Sequence, residues 1–68
     1  MTTDDLIRTI KKFTEANGRG PSSNAELQMA LANELNTPIA DVDLMDELEK
    51  AVSAGFIGRD DKGCLVVL

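Results

Sequence analysis

The segment Gly55–Leu68 has the sequence GFIGRDDKGCLVVL, and it decides the fold class of this chain. Two apolar runs flank the polar segment Asp60–Gly63, which is the arrangement of a strand, a turn and a second strand. The aliphatic ending Cys64–Leu68 is the stronger strand signal of the two. The segment therefore predicts a β-hairpin, with strands in Phe56–Arg59 and Cys64–Leu68.

Upstream of this hairpin, the apolar residues repeat at helical rather than strand spacing. The first predicted helix covers about Asp4–Ala16, with Thr3 as its N-cap. The second begins at Ser23–Glu26, which has the form of a capping box in which serine and glutamate each bond the other's amide. It is expected to end near Leu35 or the asparagine that follows.

The third predicted helix begins at Ile39 or Asp41 and runs to Ala54, where Gly55 is well placed to end it. We therefore expect one α+β domain, mainly α, in which three helices are followed by a C-terminal β-hairpin. It spans residues 1–68. Met29 and Met45 are predicted to fill gaps in its small core. The residues predicted to face that core are Leu6, Ile7, Ile10, Phe13, Leu27, Ala30, Leu31, Leu35, Leu44, Leu48, Ala51 and Val52.

The composition contains no pattern of catalytic residues. Cys64 is the only cysteine and histidine is absent, so neither an intrachain disulfide nor an ordinary zinc site is expected. Because no histidine is present to activate its thiol, Cys64 is expected to be structural. We predict a protein that is not an enzyme and has no metal or cofactor. The absence of a leader or a membrane-spanning run predicts a soluble, cytoplasmic protein.

The charge distribution indicates which class of molecule the chain can bind. The net charge is −5, and Ser22–Glu49 contains seven of the twelve acidic residues but no Lys or Arg. Binding to duplex DNA depends largely on cations that neutralise phosphates. The charge pattern therefore disfavours DNA as the partner.

Several local motifs occur in a characteristic order along the chain. They are Leu6-Ile7 and Ile10, Gly20-Pro21-Ser22, Ala25-Glu26-Leu27, Leu44 with Leu48-Glu49-Lys50, Gly55-Phe56-Ile57, and the glycine-tipped turn at Gly63. Together they resemble the winged helix-turn-helix family, and most closely the DNA-binding domain of LexA-type repressors. The resemblance implies that Phe56 and Ile57 attach the hairpin to the core. It also implies that the third helix enters the major groove of DNA.

The exposed side of the third helix departs from that family, because it is acidic where a recognition helix would meet phosphates. We therefore predict a small regulator or adaptor of bacterial or bacteriophage type that binds a protein partner, which we expect to be basic. The phage assignment rests on analogy with the short, acidic chain. The predicted binding residues are Asp43, Asp46, Glu47 and Glu49. The plain alternative is a solvated face that only maintains solubility.

Two further alternatives concern DNA and self-association. In the first, the chain is a transcriptional regulator that contacts DNA through the wing and loop residues Arg19, Arg59 and Lys62. In the second, the chain forms a homodimer, because the strand Cys64–Leu68 is apolar on both faces and the helices can cover only one of them.

Overall fold

The computed structural model describes all residues from Met1 to Leu68. The elements in chain order are α1 Thr3–Asn17, α2 Asn24–Leu35, α3 Asp41–Ser53, β1 Ile57–Arg59 and β2 Leu65–Val67. The two strands pair antiparallel, with Ile57 opposite Val67 and Arg59 opposite Leu65. The predicted α+β class, three helices followed by a hairpin, is confirmed.

The start of α1 differs from the prediction by one residue. Thr2 rather than Thr3 is the N-cap: its hydroxyl accepts from the amide of Asp5, whose carboxylate accepts from the amide of Thr2. Thr3 could not form this reciprocal capping box, because the residue three positions after it is Leu6. The Thr3 hydroxyl instead donates to the Glu47 carboxylate at 3.3 Å and links α1 to α3.

The predicted capping box of α2 is only half formed. The Ser23 hydroxyl accepts from the amide of Glu26 at 3.2 Å, as predicted. The Glu26 carboxylate, however, accepts from the amide and hydroxyl of Ser22 and from the guanidinium of Arg19. Hydrogen bonds from Arg19 and then Ser22 lower the pKa of Glu26 to about 2. This carboxylate therefore connects the loop before α2 to the helix.

One hydrophobic core lies among the three helices and the hairpin. Each helix contributes large apolar side chains to it, and each strand contributes one. Leu35, Ile39 and Val67 are partly buried at its edge. The buried members are Leu6, Ile10, Leu27, Leu31, Leu44, Leu48, Ala51, Ile57 and Leu65.

Four apolar residues are exposed although the sequence pattern, or for Phe56 the resemblance, predicts that they pack on the core. Val52 is 48% exposed and Phe56 is 50% exposed, so only Ile57 attaches the start of the hairpin to the core. The prediction that Met29 and Met45 fill core gaps is also wrong, since they are 70% and 58% exposed. The physical reason on α3 is helical geometry: Val52 is rotated about 100° from the buried Ala51 and turns away from the core.

Thr9 is the one buried side chain with an unsatisfied polar atom, because its hydroxyl has no hydrogen-bond partner. Replacing Thr9 with valine keeps the shape of the side chain and removes this hydroxyl. We expect the free energy of unfolding to rise by about 1 kcal/mol, as measured by urea denaturation. Thr14→Val is the matched control, because the Thr14 hydroxyl donates to the carbonyl of Ile10. An equal gain from both variants would contradict the explanation.

Candidate functional site

The four carboxylates predicted to bind a partner all lie on α3, but they border two different depressions. Asp43, Asp46 and Glu47 line a depression beside the turn between α2 and α3. Glu49 lines a groove that also contains Arg59 of β1. Glu47 and Glu49 are about 200° apart around the helix axis, so one flat surface cannot contact both well.

None of these carboxylates is in an ion pair. The ion pairs of the chain join Arg8 to Asp5 and Glu34, Lys12 to Glu34, and Arg19 to Glu26. Asp43, Asp46 and Glu49 are exposed, whereas Glu47 is half-buried and accepts only from the Thr3 hydroxyl. Lys50 lines the same depression as Asp46 and Glu47, but its ammonium forms an ion pair with neither of them. The four carboxylates therefore outnumber this cation, and the surface of α3 keeps a net negative potential.

An apolar stripe lies on the same exposed surface of α3. Val42, Met45, Glu49 and Val52, here called the outer stripe, are spaced three, four and three residues apart and share one helix face. Val42 is 64% exposed, and Met45 and Val52 are exposed to a similar degree. The sequence pattern assigns Val52 to the buried face and Met45 to a gap in the core, and it does not predict that both are exposed. The sequence feature that would have predicted their exposure is this second repeat, which lies on a different face of the helix from Leu44.

A groove runs beside the outer stripe. It consists of two adjoining depressions of about 340 and 300 Å³ that share Asn24 and Met45 as lining residues. We call it the α2–α3 groove. The Gln28 side-chain amide donates to the carbonyl of Ile39 at 2.6 Å and to the carboxylate of Asp41 at 2.7 Å. These bonds link the start of α3 to α2 at one end of the groove.

The structure does not bring the alternative DNA-contacting residues together. Arg19 lies over the ring of Phe13 at 5.6 Å and pairs with Glu26, which raises the pKa of Arg19. The Arg59 guanidinium donates to a carbonyl within its own hairpin at 2.8 Å. Lys62 is exposed in the turn. Two of the three cations thus already have partners inside the chain.

The rest of the chain offers no metal centre or exposed thiol. No group of three or more His, Cys, Asp or Glu side chains is arranged to hold a metal ion, and Cys64 is buried. None of the helices combines the length and apolarity needed to cross a bilayer.

No protein-family model matches the chain, and comparisons with curated proteins and with solved structures found no match.

Proposed function

We propose that this protein is a small non-enzymatic regulator or adaptor that binds another protein through the exposed surface of α3. Its scaffold resembles a winged helix, in which the third helix is the element that usually makes contacts. The observation behind the proposal is the outer stripe, whose exposed apolar side chains lie next to unpaired carboxylates. The regulator or adaptor role rests on the resemblance.

The outer stripe argues against a face that serves only for solubility. Single exposed apolar side chains are normal on protein surfaces. Here Val42, Met45 and Val52 are all exposed on a single helix face, where only Glu49 interrupts them. A surface adapted only to water would alternate charges of both signs instead. Apolar area rimmed by charge is typical of a protein-binding surface.

The same surface disfavours DNA. The phosphate backbone would meet Asp46 and Glu49, which form no ion pair within the chain, and each carboxylate would lose water without gaining a partner. Arg19 would first have to leave Glu26, and Arg59 would have to leave its carbonyl. A protein partner with basic side chains could pair with these carboxylates, and neither Arg19 nor Arg59 would have to leave its internal partner.

Charge reversal on α3 tests the proposal. The double variant Asp46→Lys/Glu49→Lys is expected to reduce the recovery of the partner from source cells by about tenfold, because both rim carboxylates become repulsive to a basic surface. Recovery is measured by quantitative mass spectrometry. The matched control is Glu15→Lys/Asp61→Lys, which changes the net charge equally at two other exposed positions. Association with the captured partner is also expected to slow as salt rises.

Equal recovery with both double variants would refute the proposal. The DNA alternative has its own measurement, the fluorescence anisotropy of random duplex DNA at low salt. Winged-helix DNA binders show at least non-specific affinity under those conditions. If the chain binds duplex DNA saturably and the double variant Arg59→Ala/Lys62→Ala does not, the function is DNA binding rather than protein binding.

A further inference from the structure

We infer that the α2–α3 groove and the outer stripe bind an amphipathic helix of the partner, with one apolar face flanked by Lys or Arg. This inference rests on the proposed function and specifies the shape and chemistry of what is bound. Three properties of the surface lead to it: its length, its backbone and the charge along its rim.

The length of the surface matches a few turns of helix. Val42 and Val52 are ten residues apart along α3, which corresponds to about 15 Å. A partner helix that presents apolar side chains at positions i, i+3 or i+4, i+7 and i+10 covers a comparable length. Met45 lies between the two depressions of the groove, so side chains from successive turns of a partner helix can pack on either side of it.

The backbone along α2 and α3 favours a helical occupant over an extended one. Both walls of the groove that meet at Met45 are helical, since Asn24 begins α2 and Met45 lies within α3. Backbone amides in the middle of α3 are already bonded within the helix. The outer edge of β1 lies only at the Arg59 end of the groove. An extended peptide placed between α2 and α3 would find no strand edge along Met45, and its own amides there would lose water without replacement. A helical occupant has no such cost, because its backbone hydrogen bonds are already formed within the helix.

The rim of the groove sets the charge of the occupant. Glu49 and Asp41 line its two depressions, and Asp46 is exposed on the neighbouring turn of α3. Arg59 is the only cation that lines the groove, and its guanidinium already donates to the carbonyl of Gly63. Lys or Arg beside the apolar face of the occupant would complement these carboxylates. The flexible thioether of Met45 suits such a contact, because it adapts to different apolar partners.

The experiment uses a synthetic peptide of about four helical turns, with Leu on one face and Lys on the other. Binding to the full chain is followed by fluorescence anisotropy and by amide chemical shifts in NMR spectra. We expect saturable binding, with the largest shift changes at Asn24, Gln28, Met45 and Val52. Met45→Ala should weaken binding by about tenfold, because it removes the central apolar contact. Met29→Ala is the matched control, an exposed methionine on another helix that should bind as the wild type does.

Three outcomes would overturn the inference. The first is equal affinity for a peptide of the same composition in which Leu and Lys are scrambled, since charge alone would then explain binding. The second is a set of shift changes centred on Phe56 and Leu68 of the hairpin rather than on α3. The third is a set of α3 shifts that depends on protein concentration without peptide, which would make a second copy of the chain the occupant.

The failure of this inference can be separated from the failure of the proposed function. If Asp46→Lys/Glu49→Lys abolishes capture of the cellular partner but the Leu/Lys peptide does not bind, only the inferred helix is wrong. If the peptide binds at the groove but capture is unaffected by that double variant, the groove has helix affinity and the proposed function of α3 is wrong.

Discussion

Replacing Gly20 with alanine is expected to lower the free energy of unfolding by about 3 kcal/mol, one of the largest effects of any single methyl group in this chain. A Cβ at this position would overlap the carbonyl oxygen of Leu65 and lie 2.9 Å from its carbonyl carbon. Both atoms belong to backbone, so no side-chain rotation can relieve the overlap. The loop before α2 would have to move away from β2 and lose the 2.8 Å hydrogen bond from the Leu65 amide to the Pro21 carbonyl.

Gly18→Ala is the control for this prediction, because it adds the same methyl group to the same loop. Gly18 has φ 74°, and apart from its chain neighbours no atom lies within 4 Å of where the methyl group would be, so only the left-handed backbone is strained. That strain costs about 1 kcal/mol. Urea denaturation followed by circular dichroism measures both variants. A Gly20→Ala protein that is as stable as Gly18→Ala would show that the close packing of the loop against β2 is incorrect.

Leu44→Ala is expected to lower the free energy of unfolding by about 3 kcal/mol, because Leu44 is buried and its truncation leaves a cavity. A domain of this size has only about 3–5 kcal/mol of stability from its core. We therefore expect a large unfolded fraction at room temperature, visible as a loss of helical circular dichroism and of dispersed amide resonances. The same loss would remove partner binding, since the surface of α3 exists only in the folded chain.

Val42→Ala is the control on the same helix. Val42 is exposed, so its truncation should change the free energy of unfolding by no more than about 0.5 kcal/mol. This variant distinguishes an effect on stability from an effect on partner binding, because it leaves the core intact and removes an apolar side chain from the outer stripe. Equal destabilisation by Leu44→Ala and Val42→Ala would mean that α3 packs on the core through a different face.

Most of the secondary structure follows from local signals. Ser23 caps α2 as predicted, and Gly55 turns the chain after α3 with φ 82°, a conformation that glycine adopts without strain. The hairpin lies where the two apolar runs on either side of Asp60–Gly63 predict it. These features depend on residues within a few positions of one another, which is why sequence reasoning located them.

Contacts between distant residues were less accessible to that reasoning. The loop before α2 showed no strand signal, yet its Pro21 carbonyl accepts from the amide of Leu65. Glu26 had a local partner available in Ser23, but Arg19 and Ser22 bind it instead. Tertiary packing decides the first contact, because Pro21 and Leu65 are far apart in the chain. The second is a choice among nearby partners that the local sequence does not rank. The homodimer through the last strand stays a prediction, and the exposed Leu68 is where it would form.

The sequence by itself determined the order of three helices and a hairpin, and it placed Asp43, Asp46, Glu47 and Glu49 on the third helix. Only the tertiary structure decided how far burial extends around that helix. α3 has two apolar repeats, one through Leu44 and one through Val42. The sequence pattern rightly assigns Leu44, Leu48 and Ala51 to the core, but it also assigns Val52, which belongs to the second repeat and is exposed. The core formed with α1 and the hairpin covers the first, so the second is left beside the carboxylates. The candidate site is therefore a product of packing between residues far apart in the chain.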